Sequence, residues 1–553
     1  MTPSNPIRPS GRLTHLVLAA CLLALFAPLP AARAQTPPSV RIVDGASQFL
    51  VHGQTFLMLA GELGNSSAGT AAEADAILPR LAQLHVNTVL MPVPWDEIEP
   101  TEGRFDFSIL DHWIAVARRQ QLHLVLLWFG SWKNAFSEYA PAWVLADPAR
   151  FPREISAEGL PTQILSPFGE QTAAADSRAF AALLAHLHSE DAADQTVLMI
   201  QVENEIGFLG LGGRDRSPQA NRLFAGPVPP QLVQALAAHR DRLPHALAAQ
   251  FNPDGAHWHA VFGDAADEAF MAWFYGRFVE QVAAAGKKQY PLPLYMNAQL
   301  PAPFERPGDY PSGAPHPIEQ PIYRVAAPSI DFYAPDIYWP NFEDWVERYQ
   351  AAGNAVFVPE ARLDAAPFNA LYAFGQARGF GFSPFDVDSL RPGDPPATPD
   401  PLLADEYGAL GQMSSLILEA QQQNRIRALV LHETSLRPTQ TVALGGFLFR
   451  ATLARGWPSH TLSEKDGALM VLEAAPDTFY VLGTGLSVTV TRDPDTDNQL
   501  AGIASFEEGS FADGRFTPSR VLNGDQSDQG RRLLLNPRAF HVYRVRLYTA
   551  PRP

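Results

Sequence analysis

Between residues 56 and 424 the chain alternates short apolar runs with longer stretches that are alanine-rich or carry apolar residues at helical spacing, the pattern of repeated β/α units. Eight runs read as strands: Phe56–Ala60, Thr88–Pro92, Leu122–Leu127, Val197–Val202, Leu294–Met296, Phe332–Ala334, Val356–Val358 and Gly379–Phe382. Helical stretches lie between and after them: Ala71–Leu84, Ile109–Gln121, Ser177–His188, Pro230–Leu247, Ala266–Ala285, Phe342–Ala352, Asn369–Arg378 and Leu403–Gln423. Eight units over about 370 residues predict an α/β fold, a (β/α)8 TIM barrel with long insertions. The doubly wound alternative lacks the glycine-rich phosphate loop expected after its first strand. After Asn424 the texture changes. Ala428–Leu431, Gly445–Phe449, Ala468–Glu473, Phe479–Leu482, Leu486–Thr491 and His541–Leu547 read as short strands, punctuated by the turn signals Asp513-Gly514 and Asn523-Gly524. The organisation predicted is a barrel over residues 40–425 and a smaller all-β, sandwich-like accessory domain over 426–553.

The N-terminus has a different pattern. Leu16–Ala27 is an unbroken apolar run of 12 residues behind Arg8 and Arg12, shorter than the roughly 20 needed to span a bilayer, so no membrane span is expected. It ends near Ala32-Arg33-Ala34, a small-x-small cleavage pattern. Residues 1–34 therefore read as a signal peptide, and the protein as exported, periplasmic or secreted. A lipoprotein signal is the alternative, because Leu18-Ala19-Ala20-Cys21 has the form of a lipid-attachment site, although the apolar run continues past Cys21. Cys21 is the only cysteine. Cleavage after Ala34 would leave none, which excludes disulfides, thiolate metal sites and cysteine nucleophiles.

Charge narrows the partners. The chain holds 41 basic and 58 acidic residues; without the three arginines of the leader the balance becomes 38 against 58. Such a surface disfavours nucleic acid, which needs a basic face, and suits a neutral substrate. The 50 prolines, about twice the usual share, cluster in Pro301–Pro321 and Pro392–Pro401, long loops of the kind that carry binding chemistry on a rigid scaffold.

In a barrel of this type chemistry sits at the C-terminal ends of the strands. The fourth run continues as Gln201-Val202-Glu203-Asn204-Glu205, where strand alternation would send Gln201, Glu203 and Glu205 one way and Asn204 the other. Two buried acids so close would repel, and one held protonated is what a general acid requires. The seventh run ends Val358-Pro359-Glu360, again a carboxylate directly after an apolar strand. Taken alone, Glu360 reads as a solvated surface group. Acids at the ends of strands four and seven together form the pair that glycoside hydrolysis needs, one to protonate the leaving oxygen and one to attack the sugar carbon.

On these residues, and on Pro94-Trp95-Asp96-Glu97-Ile98-Glu99-Pro100 followed by Gly103-Arg104-Phe105-Asp106-Phe107, the chain resembles the retaining glycoside hydrolases of clan A, and among them the family 35 β-galactosidases. The resemblance covers roughly residues 50–385 and implies Glu205 as acid/base, Glu360 as nucleophile and Asn204 as a hydrogen-bond donor to the sugar 2-hydroxyl. It also implies a tyrosine bonded to the nucleophile, for which Tyr338 is placed suitably, and a sugar contact from Asn134. The chain departs from the family at Ile206, where an aromatic is usual, and at Ala60–Asn65, which lacks the usual His-Tyr. It departs again at Phe136, where an acid is expected, and in lacking the Gly-Gly-Pro before strand four. The implied activity is a retaining exo-β-galactosidase that removes terminal β-galactosyl residues from oligosaccharides, plant cell-wall side chains among them, without cofactor or metal.

Trp95, Trp128, Trp132, Tyr338 and Trp339 fall at or just after strand ends, where flat rings either stack on a pyranose or pack the barrel top. His257 and His259 share the spacing of metal ligands but lack a third, and read as surface-loop residues. Asp493–Asp497 imitates the start of a calcium loop but has Asn498 and Ala504 where glycine and an acid are required. No Gly-x-Ser-x-Gly elbow is present. Two rivals stay open: another clan A enzyme, a β-glucosidase or endo-glucanase, and a non-catalytic carbohydrate-binding barrel. Oligomeric state is not legible.

Overall fold

The computed structural model describes residues 1–2, 36–389, 401–455, 465–494, 499–535 and 539–551. Nearly all of the expected leader, with Cys21, lies outside these residues, as do most of Pro392–Pro401 and Asp495–Asn498 of the calcium-like segment. One compact unit runs from Pro37 to Pro553; of the unit before it, Met1–Thr36, only residues 1, 2 and 36 are described.

The barrel is present. Its strands are β1 (Met58–Glu62), β2 (Thr88–Pro94), β3 (His123–Phe129), β4 (Val197–Val202), β5 (Leu294–Gln299), β6 (Phe332–Ile337), β7 (Phe357–Val358 and Glu360–Ala361) and β8 (Gly381–Phe382). Every neighbouring pair is parallel. Closure depends on β7, whose first half pairs with β8 and whose second half pairs with β6. Pro359 stands at the change of partner, where its missing N–H removes nothing from either ladder.

Alternation along the strands sorts the barrel interior into a dry end and a polar end. Met58 and Ala60 of β1, Tyr295 of β5, Phe332 and Ala334 of β6 and Phe357 of β7 share one buried cluster. An antiparallel sheet of Ser39–Val43, Ala46–Val51 and Gln54–Phe56 lies under it and adds Phe49 and Val51 to the same cluster. With that end stoppered, the open mouth is at the C-terminal ends, where the same columns continue as Glu62, Asn297 and Asp336.

Helices ring the barrel as the apolar periodicity predicts, with informative exceptions. Ala71–Gln83 starts at Thr70, whose hydroxyl accepts from Glu73 N while the Glu73 carboxylate accepts from Thr70 N, a reciprocal cap. The single helix expected over Pro230–Leu247 is broken into Pro230–Ala238 and His245–Gln250, because Pro244 cannot continue a helix. A helix missed by the periodicity, Gln320–Ala326, follows β5; seven residues are too few to show a period. Strand one begins at Met58 rather than Phe56 because Phe56 pairs with Phe49 in the stoppering sheet.

The C-terminal part is all β. A six-stranded sheet (Ile426–His432, Asp466–Ala475, Thr478–Thr484, His541–Pro551, Gln499–Ala512, Arg515–Val521) faces a four-stranded one (Thr439–Leu444, Phe447–Leu453, Leu486–Arg492, Leu533–Leu534). Asp513 and Gly514, at φ 49° and 71°, form the expected tight hairpin turn. Asn523-Gly524 instead opens the short 3-10 turn Gly524–Ser527. Four strands escaped the sequence pattern: Thr439–Leu444, Gln499–Ala512, Arg515–Val521 and Leu533–Leu534. The first two are largely half-exposed, the third is exposed at six of its seven residues and the fourth is two residues long.

Strands Ile426–His432 and Asp466–Ala475 of the six-stranded sheet are buried on both faces. Leu429, Leu431, Leu469 and Val471 point into the sandwich core, while Ala428, Val430, Met470 and Leu472 join the core around the barrel. At the seam a Cβ on Gly375 would lie 2.6 Å from the Ala428 Cβ and 2.9 Å from the Met470 Cγ. Gly375→Ala is therefore expected to destabilise the protein by about 1–3 kcal/mol through overpacking. Because the seam is one core, calorimetry should show barrel and sandwich unfolding in a single transition that moves down as a whole. Two transitions, only one of them shifted, would refute the shared core.

Candidate active site

The polar mouth is dominated by carboxyl groups. Glu62 ends β1, Asp336 lies on β6, Glu360 begins the second half of β7 and Glu205 follows β4; all four are buried. Oxygens of Glu205, Asp336 and Glu360 all lie within 4.8 Å of one another. Against these acids stands one buried cation, Lys133, whose ammonium sits over the Phe129 ring at 5.1 Å and donates to Asn204 Oδ1 at 3.0 Å. The Lys133 side chain is aimed by a tight turn in which Lys133 and Phe136 exchange both backbone hydrogen bonds and Asn134 and Ala135 take φ values of 50° and 59°.

Four carboxylates and one ammonium cannot all stay charged out of water. Burial raises Glu62 and Asp336 well above the usual carboxyl range, and the Glu360 charge adds to it. Glu205 is pushed up to about 7, first by burial and then by Glu360, with Lys133 opposing. Burial also raises Glu360, but Lys133 and the Tyr338 hydroxyl, which donates to Glu360 Oε1, hold it down. Burial thus raises all four, lifting Glu62 and Asp336 well above the usual range and Glu205 to about 7, while Glu360 is raised against the opposition of both Lys133 and the Tyr338 hydroxyl.

Asn297 locks two of these groups together. Its Oδ1 accepts from Glu205 N at 2.9 Å and its Nδ2 donates to Asp336 Oδ2 at 2.7 Å. Asp336 Oδ1 has no hydrogen-bond partner and its carboxyl faces that of Glu205. The three carboxyl oxygens are also the only set among the described residues spaced as metal ligands would be; here their charge is met by Lys133, Asn297 and Tyr338.

The segment after β4 does not keep strand alternation. Glu203 and Glu205 adopt φ values of 60° and 46°, left-handed conformations that cost non-glycine residues about 1–2 kcal/mol each. Their side chains consequently part. Glu203 turns outward, accepts from Trp132 N at 2.8 Å and is held protonated by burial and by Asp176. Asp176 in turn accepts from Trp128 Nε1 and from both Ser131 N and Oγ. Of the two neighbouring acids, only Glu205 enters the mouth.

The structure gathers Glu205, Glu360, Asn204, Asn134 and Tyr338 at the barrel mouth. Asn204 is fully buried, its Oδ1 bound to Lys133 Nζ and Asn134 N, while its Nδ2 has no partner. Trp339 is 37% exposed, with its Nε1 on Leu300 O, and stays available as a platform. Trp95 does not: it is 0% exposed, bonded to Glu99 Oε2 and packed edge-on against Trp143, so the substrate contact expected of it is corrected to packing. Trp128 and Trp132 are likewise buried. His257 caps the short helix Trp258–Phe262 by accepting from Ala260 N.

The sequence pattern missed Glu62, Lys133, Asn297 and Asp336. Three of the four stand on a barrel strand within two residues of the end of an apolar run, the same signal that identified Glu360, and Lys133 lies in the loop just after β3.

The glycoside hydrolase 42 family model, described as beta-galactosidase, matches residues 68–225, a span that includes Asn204 and Glu205 but not Glu360. A model described as a domain of unknown function, DUF5597, matches residues 403–534. No curated protein matches. Among solved structures, the β-amylase catalytic domain of Paenibacillus polymyxa is similar at 11% identity and a TM-score of 0.44, over 65% of this chain and 97% of that one. The β-galactosidase of the psychrophilic Marinomonas ef1 is similar at 13% and 0.43, over 66% of this chain and 60% of that one. The β-mannanase of the blue mussel Mytilus edulis is similar at 13% and 0.39, over 68% and 96%. This chain thus spans about three fifths of the Marinomonas enzyme. The family model matched is that of family 42, described as beta-galactosidase, where the motifs resembled family 35.

Proposed function

We propose that this protein is a retaining exo-β-galactosidase, exported from the cytoplasm, that hydrolyses terminal β-galactosyl residues of oligosaccharides. One observation carries the reading: Glu205, a carboxyl pushed up to about 7, faces Glu360, whose rise by burial is opposed by Lys133 and the Tyr338 hydroxyl, with closest oxygens within 4.8 Å. Retaining enzymes hold their two carboxyls about 5–5.5 Å apart and inverting ones about 6.5–9.5 Å; closest oxygens within 4.8 Å are compatible with the shorter spacing that double displacement needs. The choice of galactose rests on the description of the matched family, and export rests on the leader-like residues 1–34.

In the first step the Glu205 O–H gives its proton to the glycosidic oxygen as the C1–O bond breaks, and a Glu360 oxygen bonds to C1. Tyr338, donating to Glu360, fixes the attacking oxygen. In the second step the Glu205 carboxylate takes a proton from water, the water oxygen bonds to C1, and the C1–Glu360 bond breaks. The free Asn204 Nδ2 is the donor for the sugar 2-hydroxyl. Asp336, protonated and facing Glu205, offers a hydrogen bond to the carboxylate that Glu205 becomes after the first proton transfer.

A panel of nitrophenyl glycosides tests the sugar: the galactoside should turn over fastest, and a glucoside or mannoside preference would move the enzyme to another clan A activity. Early NMR should show β-galactose as the first product; an α product would reject the retaining route. Glu360→Gln should lose activity by orders of magnitude with the fold intact, and Glu203→Gln should lose much less.

Glu205→Ala should cost about 10²–10⁴-fold on galactosides with sugar leaving groups and far less on dinitrophenyl galactoside, whose leaving group needs no proton. Azide should speed turnover of that variant and yield β-galactosyl azide. Equal losses on both substrates without an azide product would remove Glu205 from the acid/base role.

The pH profile follows from the same charges. Glu205 must be protonated and Glu360 ionised, so kcat/KM should fall as pH rises through about 7 and fall again on the acid side as Glu360 takes a proton. Lys133 lowers both groups; Lys133→Met should therefore move both limbs to higher pH. Limbs that stay in place would show that Lys133 does not set these charges.

A further inference from the structure

A groove of about 1320 Å³ lies between the barrel and the C-terminal domain and borders the carboxyl cluster at Tyr338, whose hydroxyl donates to Glu360. It begins at Tyr338 and Trp339, the first of which holds Glu360. On the barrel side its wall is formed by Glu343 and Glu347 of the helix Phe342–Ala351 and by Asp364 and Asn369 after β7. The facing wall belongs to the segment matched as a domain of unknown function: His432, Thr434, Leu436, Arg437 and Thr441, with Asp466 behind. The connection between strands Ile426–His432 and Thr439–Leu444 forms this wall. His432 Nδ1 is tied to Asp466 at 2.6 Å, and Leu436 at the tip of the loop is fully exposed, at 102%.

Resting on the glycosidase reading, we infer that this groove is the aglycone-binding site, taking several units of a neutral oligosaccharide beyond the scissile bond, and that the C-terminal domain supplies its outer wall. Size is the first argument, because sites that enclose one small ligand measure about 300–1,000 Å³. Chemistry is the second. The lining is dense in carboxylates, amides and hydroxyls that pair with sugar hydroxyls, and its apolar surfaces, Trp339 at the inner end and Leu436 at the rim, suit the C–H faces of pyranose rings. Charge is the third: Glu343, Asp344, Glu347, Asp364 and Asp466 outnumber Arg362 and Arg437, and Arg362 is already bound to Asp364. Acidic sugars would be repelled, which leaves neutral chains.

The test uses the full chain and compares nitrophenyl β-galactoside with β-galactosyl-capped neutral oligosaccharides of increasing length. From the disaccharide to the longest substrate kcat/KM should rise by about tenfold or more, each tenfold being about 1.4 kcal/mol. Thr434→Trp, an exposed position on the outer wall, should erase most of that rise, and Leu436→Ala should reduce it. Uronate-containing chains should show no rise. A kcat/KM independent of length, or a rise that survives Thr434→Trp, would overturn the assignment while leaving the hydrolase reading intact. If no β-galactoside at all is turned over, the hydrolase reading fails, and calorimetric titration with the longest oligosaccharide decides the groove separately: binding weakened by Thr434→Trp upholds it, and absence of binding overturns it.

Discussion

The barrel mouth is organised by the burial of four carboxyl groups around one ammonium. Taking a carboxylate out of water costs several kcal/mol unless it is paired, and Lys133 can pair with only part of the charge that Glu62, Glu205, Asp336 and Glu360 would carry. The protons must therefore be retained on the groups with the poorest access to a cation or donor. Asp336 receives one N–H, from Asn297, and faces three other acids; Glu62 has an oxygen with no partner. Glu360 has both Lys133 and the Tyr338 hydroxyl. The unequal division of labour between two carboxyls that acid/base chemistry requires thus follows from who neighbours whom, with no separate device for each group.

Holding such a cluster requires backbone that ordinary strands do not provide. Glu203 and Glu205 in left-handed conformations separate two acids that alternation would have placed on one face, sending one to Asp176 and the other to the mouth. Asn134 and Ala135, also left-handed, aim Lys133. Pro359 lets β7 change partners so that Glu360 pairs beside Asp336. Strained residues persist where surrounding contacts over-determine them, and here those contacts are the buried bonds from Trp132 N to Glu203 and from Glu205 N to Asn297. The dry lower barrel, stoppered by Phe49 and Val51, is the rigid base against which the strain is held.

That division explains what the sequence made legible. The eight strands were visible because the interior of a parallel barrel is apolar on both faces of each strand, and Glu205 and Glu360 stood out as acids directly after such runs. Glu62 and Asp336 follow runs just as closely, yet a carboxylate on a strand says nothing of its neighbours until the barrel closes and brings β1, β6 and β7 together. The fate of Glu203 was invisible for a different reason: its direction is set by a φ angle. Trp95 shows the converse error, since proximity to a strand end does not decide whether an indole faces sugar or Trp143.

The C-terminal sandwich shows how the same alternation can join two domains. In an isolated sandwich one face of each sheet meets water and the strands read as alternating apolar and polar. Ile426–His432 and Asp466–Ala475 instead carry apolar residues on both faces, because the second face covers the barrel. A sheet packed on both faces anchors the ends of the connection between Ile426–His432 and Thr439–Leu444, which borders the same groove as Trp339 and Glu343. A wall bordering the proposed aglycone groove would gain from this anchoring, since ordering a mobile loop on binding would cost about 0.5–1.5 kcal/mol for each side chain immobilised. The close approach at Gly375, too tight for even a methyl group, is one contact through which the barrel fixes the sheet that carries that wall.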